Sequence, residues 1–220
     1  MEKNIVANIA AKRTKSRIYL FFKRVFDIFS SSVALVVLSP VFLIIAILIK
    51  KEDNGPIFYN HKRVGQYGKD LVIYKFRSMM TEENQAKVVL TPEQIEQYKK
   101  EYKIDNDPRI TKVGKILRKT SLDELPQLLN ILKGQLSVVG PRPIVKDELS
   151  KYTDSQRKKF LSVKPGLTGY WQAYARNNAT YESGIRQRME MHYVDNASFW
   201  FDLKIIFKTV VSVIKKTGAK

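Results

Sequence analysis

Residues 25 to 49, VFDIFSSSVALVVLSPVFLIIAILI, constrain this chain more than any other stretch. They are nearly all apolar or hydroxylated, and about 20 such residues in one straight helix would cross a bilayer. Ser39-Pro40 near the middle argues against a straight helix. Proline lacks the N–H of one helical hydrogen bond and clashes with the preceding turn, while the serine hydroxyl can satisfy a freed carbonyl. The flanks carry Lys12, Arg13, Lys15, Arg17, Lys23 and Arg24 on one side and Lys50, Lys51, Lys62 and Arg63 on the other. A spanning helix normally keeps its basic flank on the cytoplasmic side alone. A helix that enters, turns at Ser39-Pro40 and leaves by the same face satisfies the charge pattern and the proline together. A kinked span ranks second, and a buried core helix of a soluble protein third. The late start and the trailing Lys50-Lys51 disfavour a cleaved signal peptide.

With 220 residues and 44% hydrophobic content the chain can bury one substantial core, so a single domain over 1–220 is expected, with 25–49 in the membrane and 50–220 on its cytoplasmic face. Lysine and arginine number 39 against 21 acids, a formal charge of +18. Such a surface repels itself unless an anion lies against it: nucleic acid, anionic lipid or a phosphorylated substrate. No cysteine is present, which removes disulfides, thiolate nucleophiles and cysteine zinc sites. The two histidines, His61 and His192, have no second ligand at helical spacing and read as ordinary polar side chains.

Beyond the membrane segment, residues 55 to 79 alternate around Gly65 and Gly68 and predict a short hairpin. TPEQIEQYKKEY (91–102) has a threonine cap and a proline at the first helical position, and predicts an exposed helix in a surface insertion. LLNILKG (128–134) predicts an apolar helix closed by Gly134; a short basic helix and a Pro165-Gly166 turn follow within 153–172. At the C-terminus, Trp200, Leu203, Phe207, Val210 and Ile214 recur at helical spacing, with Lys204, Lys208, Lys215 and Lys216 for the polar side. This is a basic amphipathic helix that could lie in a membrane interface or face a core. The fold class expected is mixed α/β and mostly helical: a re-entrant membrane helix broken at Ser39-Pro40, a small β-hairpin and interfacial amphipathic helices.

The chemistry-bearing stretch is SLDELPQLLNILKGQLSVVGPRP, residues 121 to 143. Ser121-x-x-Glu124 has capping-box spacing, which would account for Asp123 and Glu124 without catalysis. Pro126 complicates that reading, because proline is most comfortable in a first turn and would leave both acids in the approach loop. Arg118 lies just before the acids, Arg142 sits between two prolines after the helix, and Asp107-Pro108-Arg109 precedes both. Guanidinium groups bind phosphate oxygens in two-pronged fashion, a carboxylate can hold Mg²⁺ against the same phosphates, and a carboxylate can attack phosphorus.

Several motifs in order, KRVFD before the apolar run, Ser39-Pro40 within it, KFRSM at 75–79, DPRITKVGKILRKTSLDELPQLLNILKGQLSVVGPRP at 107–143, KPGLTGYWQ at 164–172 and DLKIIFKT at 202–209, resemble the bacterial monotopic phosphoglycosyl transferases, or polyprenyl-phosphate sugar phosphotransferases. The resemblance runs from about residue 20 to 216. It implies transfer of a sugar phosphate from a UDP-sugar to undecaprenyl phosphate with release of UMP, the first membrane step of capsule, exopolysaccharide or related glycan synthesis. It places the protein at the bacterial inner membrane, catalytic part on the cytoplasmic face, with anionic lipid and downstream glycosyltransferases as further partners and no nucleic acid.

By the same resemblance Asp123 is the nucleophile that takes the phosphosugar, Glu124 its partner, and Mg²⁺ lies against Asp123. Arg118 and Arg142 are the phosphate-binding arginines, and Lys75, Arg77 and Asp107 are further candidates for the anion site. Lys23, Arg24 and Asp27 hold the re-entrant helix at the interface, and Asp195 and Asp202 are possible additional site acids. Two departures stand out. Asn196-Ala197-Ser198 occupies the place of a common Asn-Trp-Ser. Larger members carry an N-terminal multi-span region without a counterpart here, which implies the catalytic unit alone. Two rival classes remain: a membrane-tethered nucleic-acid-binding protein, for which no stacking or helix-turn-helix pattern is found, and a basic membrane scaffold without catalysis.

Overall fold

A computed structural model describes residues 16–102, 104–175 and 179–214. Lys12, Arg13, Lys15, Lys215 and Lys216 lie outside them, as does the side chain of Ile214. The apolar run folds as two helices, α1 (Arg17–Val37) and α2 (Ser39–Asp53), bent by 60° at Leu38. Ser39 Oγ donates to the Val36 carbonyl at 2.8 Å, and Pro40 sits in the first turn of α2, where its missing N–H costs nothing. The break falls where the Ser-Pro pair predicts it. Among the described residues no single helix is long and apolar enough to cross a membrane, but this bent pair passes the test together. Both helices leave large apolar side chains exposed, among them Phe21, Phe29, Val36 and Leu43.

The hairpin forms as predicted. Strand β1 (Phe58–Val64) pairs antiparallel with β2 (Asp70–Phe76), Phe58 opposite Phe76 and Val64 opposite Asp70. Because side chains alternate across a strand, Leu71 and Ile73 turn one way, onto Leu128, Ile131 and Leu136. Phe76 turns the other way, into a second cluster with Ile45, Ile49 and Leu117. The hairpin thus lies between the bent α1–α2 pair and the helix behind the acids.

Next come α3 (Glu82–Gln85) and α4 (Pro92–Glu101), the latter closed by a capping box between Thr91 and Gln94 and exposed, as the sequence predicts. Helix α5 (Lys112–Thr120) leads through a 3-10 turn, Leu122–Glu124, into α6 (Gln127–Leu132), after which Gly134 takes a left-handed conformation. Strand β3 (Ser137–Val139) pairs in parallel with β4 (Gly166–Thr168), a pairing that the sequence reading, with a turn at Pro165-Gly166, did not anticipate. At three residues each, these strands are too short for an alternation pattern to register. They also approach so closely that a Cβ on Gly166 would sit 2.1 Å from the Gly140 nitrogen. The chain then runs through α7 (Asp154–Leu161), α8 (Tyr170–Tyr174), α9 (Ile185–Asn196) and α10 (Phe199–Ile214).

Helix α10 buries Ile205 and Asp202, leaves Trp200 and Phe207 more than 70% exposed and Leu203 half-buried, so Trp200, Phe207 and Val210 of the apolar stripe face away from the body. Ala197, in the departing Asn-Ala-Ser segment, packs half-buried against the cluster of Val139, Tyr193 and Ile205.

Candidate active site

The acids are positioned from three sides. Helix α5 is capped by Thr111, whose side chain accepts from the Gly114 N–H, and it lies directly on the chain at Ser78. A Cβ on Gly114 would fall 1.9 Å from the Ser78 carbonyl oxygen, so only glycine allows the approach. One turn later Arg118 Nε donates to Ser78 Oγ at 2.9 Å. Ser121 then turns the chain at φ +59°, and the 3-10 turn presents Asp123 and Glu124 ahead of Pro126. The acids therefore stand before α6, as Pro126 predicts, and the capping box does not form. Ser121 provides no side-chain cap, and the Glu124 carboxylate faces Lys75 and Arg142.

Helix α6 is fixed by two polar clamps. Asn130, wholly buried, accepts from the Tyr74 N–H at 3.0 Å and donates to the Val72 carbonyl at 2.7 Å and to Gln135 Oε1 at 2.8 Å, so it sews α6 to β2. Arg24 of α1 donates to the Ile131 and Leu132 carbonyls at 2.6 and 2.8 Å, closing the negative end of α6. Lys75 follows Tyr74 on the Leu71–Ile73 face of β2. Its Nζ reaches Glu124 Oε1 at 2.7 Å and Asp123 Oδ2 at 3.9 Å. Arg142, on the Pro-Arg-Pro turn after β3, places Nη1 3.5 Å from Glu124 Oε1. Its backbone N–H donates to Glu190 Oε1 at 3.3 Å.

Asp123 is 8% exposed. Burial raises its pKa above the ordinary carboxylate value and the adjacent Glu124 adds to this, while Lys75, Arg118 and Arg142 oppose the rise. Burial alone would lower Arg142, but Glu124 and Glu148 outweigh it and hold the guanidinium firmly charged. Burial also pushes Glu190 up to about 7, against the pull of Arg186 and Arg142. The result is a desolvated carboxylate pair inside a cationic ring, able to draw in an anionic phosphorus centre and attack it.

Among the described residues no group of three or more histidines or acids could hold a metal ion. Magnesium commonly binds through one or two carboxylates plus substrate phosphates. The Asp123–Glu124 pair fits that kind of site and no richer one.

The other candidates disperse. Arg77 bonds Asp53 at the end of α2 through both terminal guanidinium nitrogens and donates from Nε to the Pro56 carbonyl at 2.6 Å, so it pins α2 to the hairpin. Asp107 is held two-pronged by Arg109 at 2.9 and 2.7 Å, and its charge reaches Arg118. Asp195 pairs with Lys159 near the surface. Asp202 accepts from Lys23 at 2.6 Å and from the Tyr19 and Tyr193 hydroxyls at 2.8 Å each. Asp27 accepts from Ser137 Oγ at 3.1 Å and the Val138 N–H at 2.9 Å. Lys23, Arg24 and Asp27 thus fasten α1 to α10, α6 and β3, inside the protein.

The sequence reading missed Glu148, Glu190 and Arg186. They sit on elements far apart in the chain, with Arg186 between the Trp171 and Tyr181 rings and bonded to Glu148 at 3.3 Å. No local motif marks such a network.

A buried Asp123 beside a half-buried Glu124, ringed by lysine and arginine, has the groups that transfer to or from an anionic substrate would need. The chain belongs to the bacterial sugar transferase family, which matches residues 18–216, and it is a transferase of the polyprenyl-phosphate sugar phosphotransferase class. It is 46% identical over 200 residues to exopolysaccharide production protein ExoY of Rhizobium meliloti, covering 90% of this chain and 87% of that protein. It is 44% identical over 217 residues to the undecaprenyl-phosphate galactose phosphotransferase of Salmonella typhimurium, covering 97% of this chain but 44% of that enzyme. With the UDP-glucose:undecaprenyl-phosphate glucose-1-phosphate transferase of Klebsiella pneumoniae it shares 41% identity over 201 residues, 88% of this chain and 40% of that one.

Proposed function

We propose that this chain transfers a sugar 1-phosphate from a UDP-sugar to undecaprenyl phosphate, releasing UMP, in the initiating step of exopolysaccharide or capsule synthesis, and that Asp123 carries the phosphosugar between two displacements. The observation that carries this reading is Asp123 held buried, beside Glu124, among Lys75, Arg118 and Arg142. The names of the Salmonella and Klebsiella relatives supply the substrate class.

The acceptor is itself an anion that must reach an anionic phosphorus, so two displacements let one cationic ring serve each in turn. In the first, Asp123 Oδ bonds to the sugar-bearing phosphorus, and the bond to the bridging oxygen breaks with its electron pair leaving on UMP. In the second, an oxygen of the lipid phosphate bonds to the same phosphorus, the acyl-phosphate bond breaks and the carboxylate is restored. Arg142 and Arg118 draw in the phosphate oxygens, and Lys75 balances the two carboxylates before the donor arrives. Mg²⁺, held by Asp123 and the donor phosphates, would supply charge neutralisation at phosphorus.

The membrane completes the reading. The bent α1–α2 pair enters and leaves the cytoplasmic face of the inner membrane, with the exposed face of α10 in the interface and the net charge of +18 against anionic lipid. Lys23, Arg24 and Asp27 transmit that position to the dyad. The product passes to downstream glycosyltransferases.

The test is UMP release from a panel of UDP-sugars, with Mg²⁺ and polyprenyl phosphate, together with adduct trapping from a donor radiolabelled in its sugar, without acceptor. Asp123→Asn should abolish turnover and trap no label, while Glu124→Gln should turn over slowly and still trap some. Labelled adduct on Asp123→Asn but not on Glu124→Gln reverses the assignment. Turnover by wild type with no trappable adduct under any condition replaces it with direct transfer in a ternary complex.

A further inference from the structure

The cleft containing Lys75, Glu124 and Arg142 is also lined by Arg63 of β1 and Gln172 of α8. Arg63 donates from Nη1 to Glu148 at 3.1 Å, and its Nη2 lies 3.2 Å from His61 Nδ1. Its Nε is buried and has no hydrogen-bond partner among the described residues. Gln172 has the opposite deficit. Its amide nitrogen donates to the Leu167 carbonyl at 3.2 Å, which fixes the amide's orientation, and leaves Oε1 buried and, among the described residues, unpartnered. Two residues that line one cleft therefore bring one unmet donor and one unmet acceptor. Unpaired buried polar groups are costly, and native proteins nearly always satisfy them. A hydroxyl can accept one hydrogen bond while donating another, and so answers both deficits at once.

We propose that Arg63 and Gln172 form a hydroxyl-reading pair for the nucleotide sugar, the arginine Nε–H donating to one donor hydroxyl and that hydroxyl donating to Gln172 Oε1. The pair rests on the functional reading above and adds a specificity contact to it. Neither residue lies in the 107–143 motif. They come together because β1 and α8 border the turn that carries Arg142.

Hydroxyls of this kind occur on the transferred sugar and on the ribose, and donor analogues separate the two. Steady-state kcat/KM by UMP release is measured for the best UDP-sugar, for analogues lacking one sugar hydroxyl each, and for 2′- and 3′-deoxyribose analogues. Wild type should lose about 10- to 100-fold with one analogue, because the pair is then left unmet. Gln172→Met should lose a similar factor on the parent donor, show almost no further loss with that one analogue, and keep wild-type ratios for the others. Arg63→Lys should repeat the pattern, which guards against a folding defect in either variant. Equal losses on every donor would make the pair structural and overturn the proposal. Unchanged turnover by Gln172→Met would mean that water fills the pair, which overturns it equally. If wild type releases no UMP from any UDP-sugar, the functional reading falls and takes this inference with it. If it does release UMP and the variants discriminate as wild type does, only the inference falls.

Discussion

Replacing Asn130 with leucine keeps the branched side-chain shape, though with greater bulk, and removes all three hydrogen bonds that sew α6 to β2. The Tyr74 N–H, in the half-buried middle of the hairpin, loses its acceptor at 3.0 Å. An orphaned buried donor costs about 1–3 kcal/mol. The Val72 carbonyl and Gln135 Oε1 belong to exposed residues that water can reach, so each lost bond there costs nearer the net value of about 0.5–1 kcal/mol. The sum is about 2–5 kcal/mol, a large share of the about 5–15 kcal/mol that holds a domain folded. For a chain of this size that lowers Tm by about 4–20 °C.

A kinetic loss should accompany it. Lys75 follows Tyr74 directly, and its Nζ sits 2.7 Å from Glu124, so slippage of β2 against α6 moves the cation off the dyad. Displacements near 1 Å can cost about 100-fold in rate. Purified protein in lipid nanodiscs, followed by thermal melting and by UMP release well below Tm, measures both effects. Gln135→Ala, which deletes only the water-accessible partner, should shift Tm by no more than about 3 °C. If Asn130→Leu melts within about 2 °C of wild type and turns over normally, α6 is held by its apolar face alone and the clamp carries no weight.

The remaining predictions concern charge and topology. Protonated Asp123 cannot attack phosphorus, and burial beside Glu124 raises its pKa, so the acid limb of kcat/KM should lie above the ordinary carboxylate range; a limb at or below that range would contradict the assignment. Because burial raises Glu190 from 4.5 to about 7, its charged form is penalised by folding, and the cost grows as pH rises between those two values and is fully present above the higher one. Glu190→Gln should therefore melt above wild type at about pH 8, with the gap narrowing as pH falls below about 7 and closing only in the ordinary carboxylate range, and a gap of opposite sign would refute the argument. Arg142→Lys keeps the charge but loses the two-pronged geometry, so its turnover should fall clearly; near-normal turnover would reduce Arg142 to a structural role. Single cysteines at positions 12 and 69 of this cysteine-free chain should both resist a membrane-impermeant thiol reagent in intact cells, and labelling of one alone would establish a span.

Local chemistry made much of this protein legible in its sequence. Ser39-Pro40 broke the apolar run because a missing N–H acts on its own helix whatever surrounds it. Thr91 and Pro92 began α4, and Gly65 and Gly68 turned the hairpin, for equally local reasons. The dyad and its arginines were readable because 107–143 is one continuous stretch. Tertiary structure decided what depends on distant partners. Arg77 and Asp202 carry the same charges as Lys75 and Glu124, yet Asp53 claims the first and Lys23 the second, so both became fasteners for the α1–α2 pair. The β3–β4 pair was invisible because three-residue strands carry no periodicity, and their backbone hydrogen bonds form only where Gly140 and Gly166 allow a close approach. Glu190, Arg63 and Gln172 gain their character from burial alone. Burial is a property of the packed chain, and no spacing of residues along the sequence encodes it.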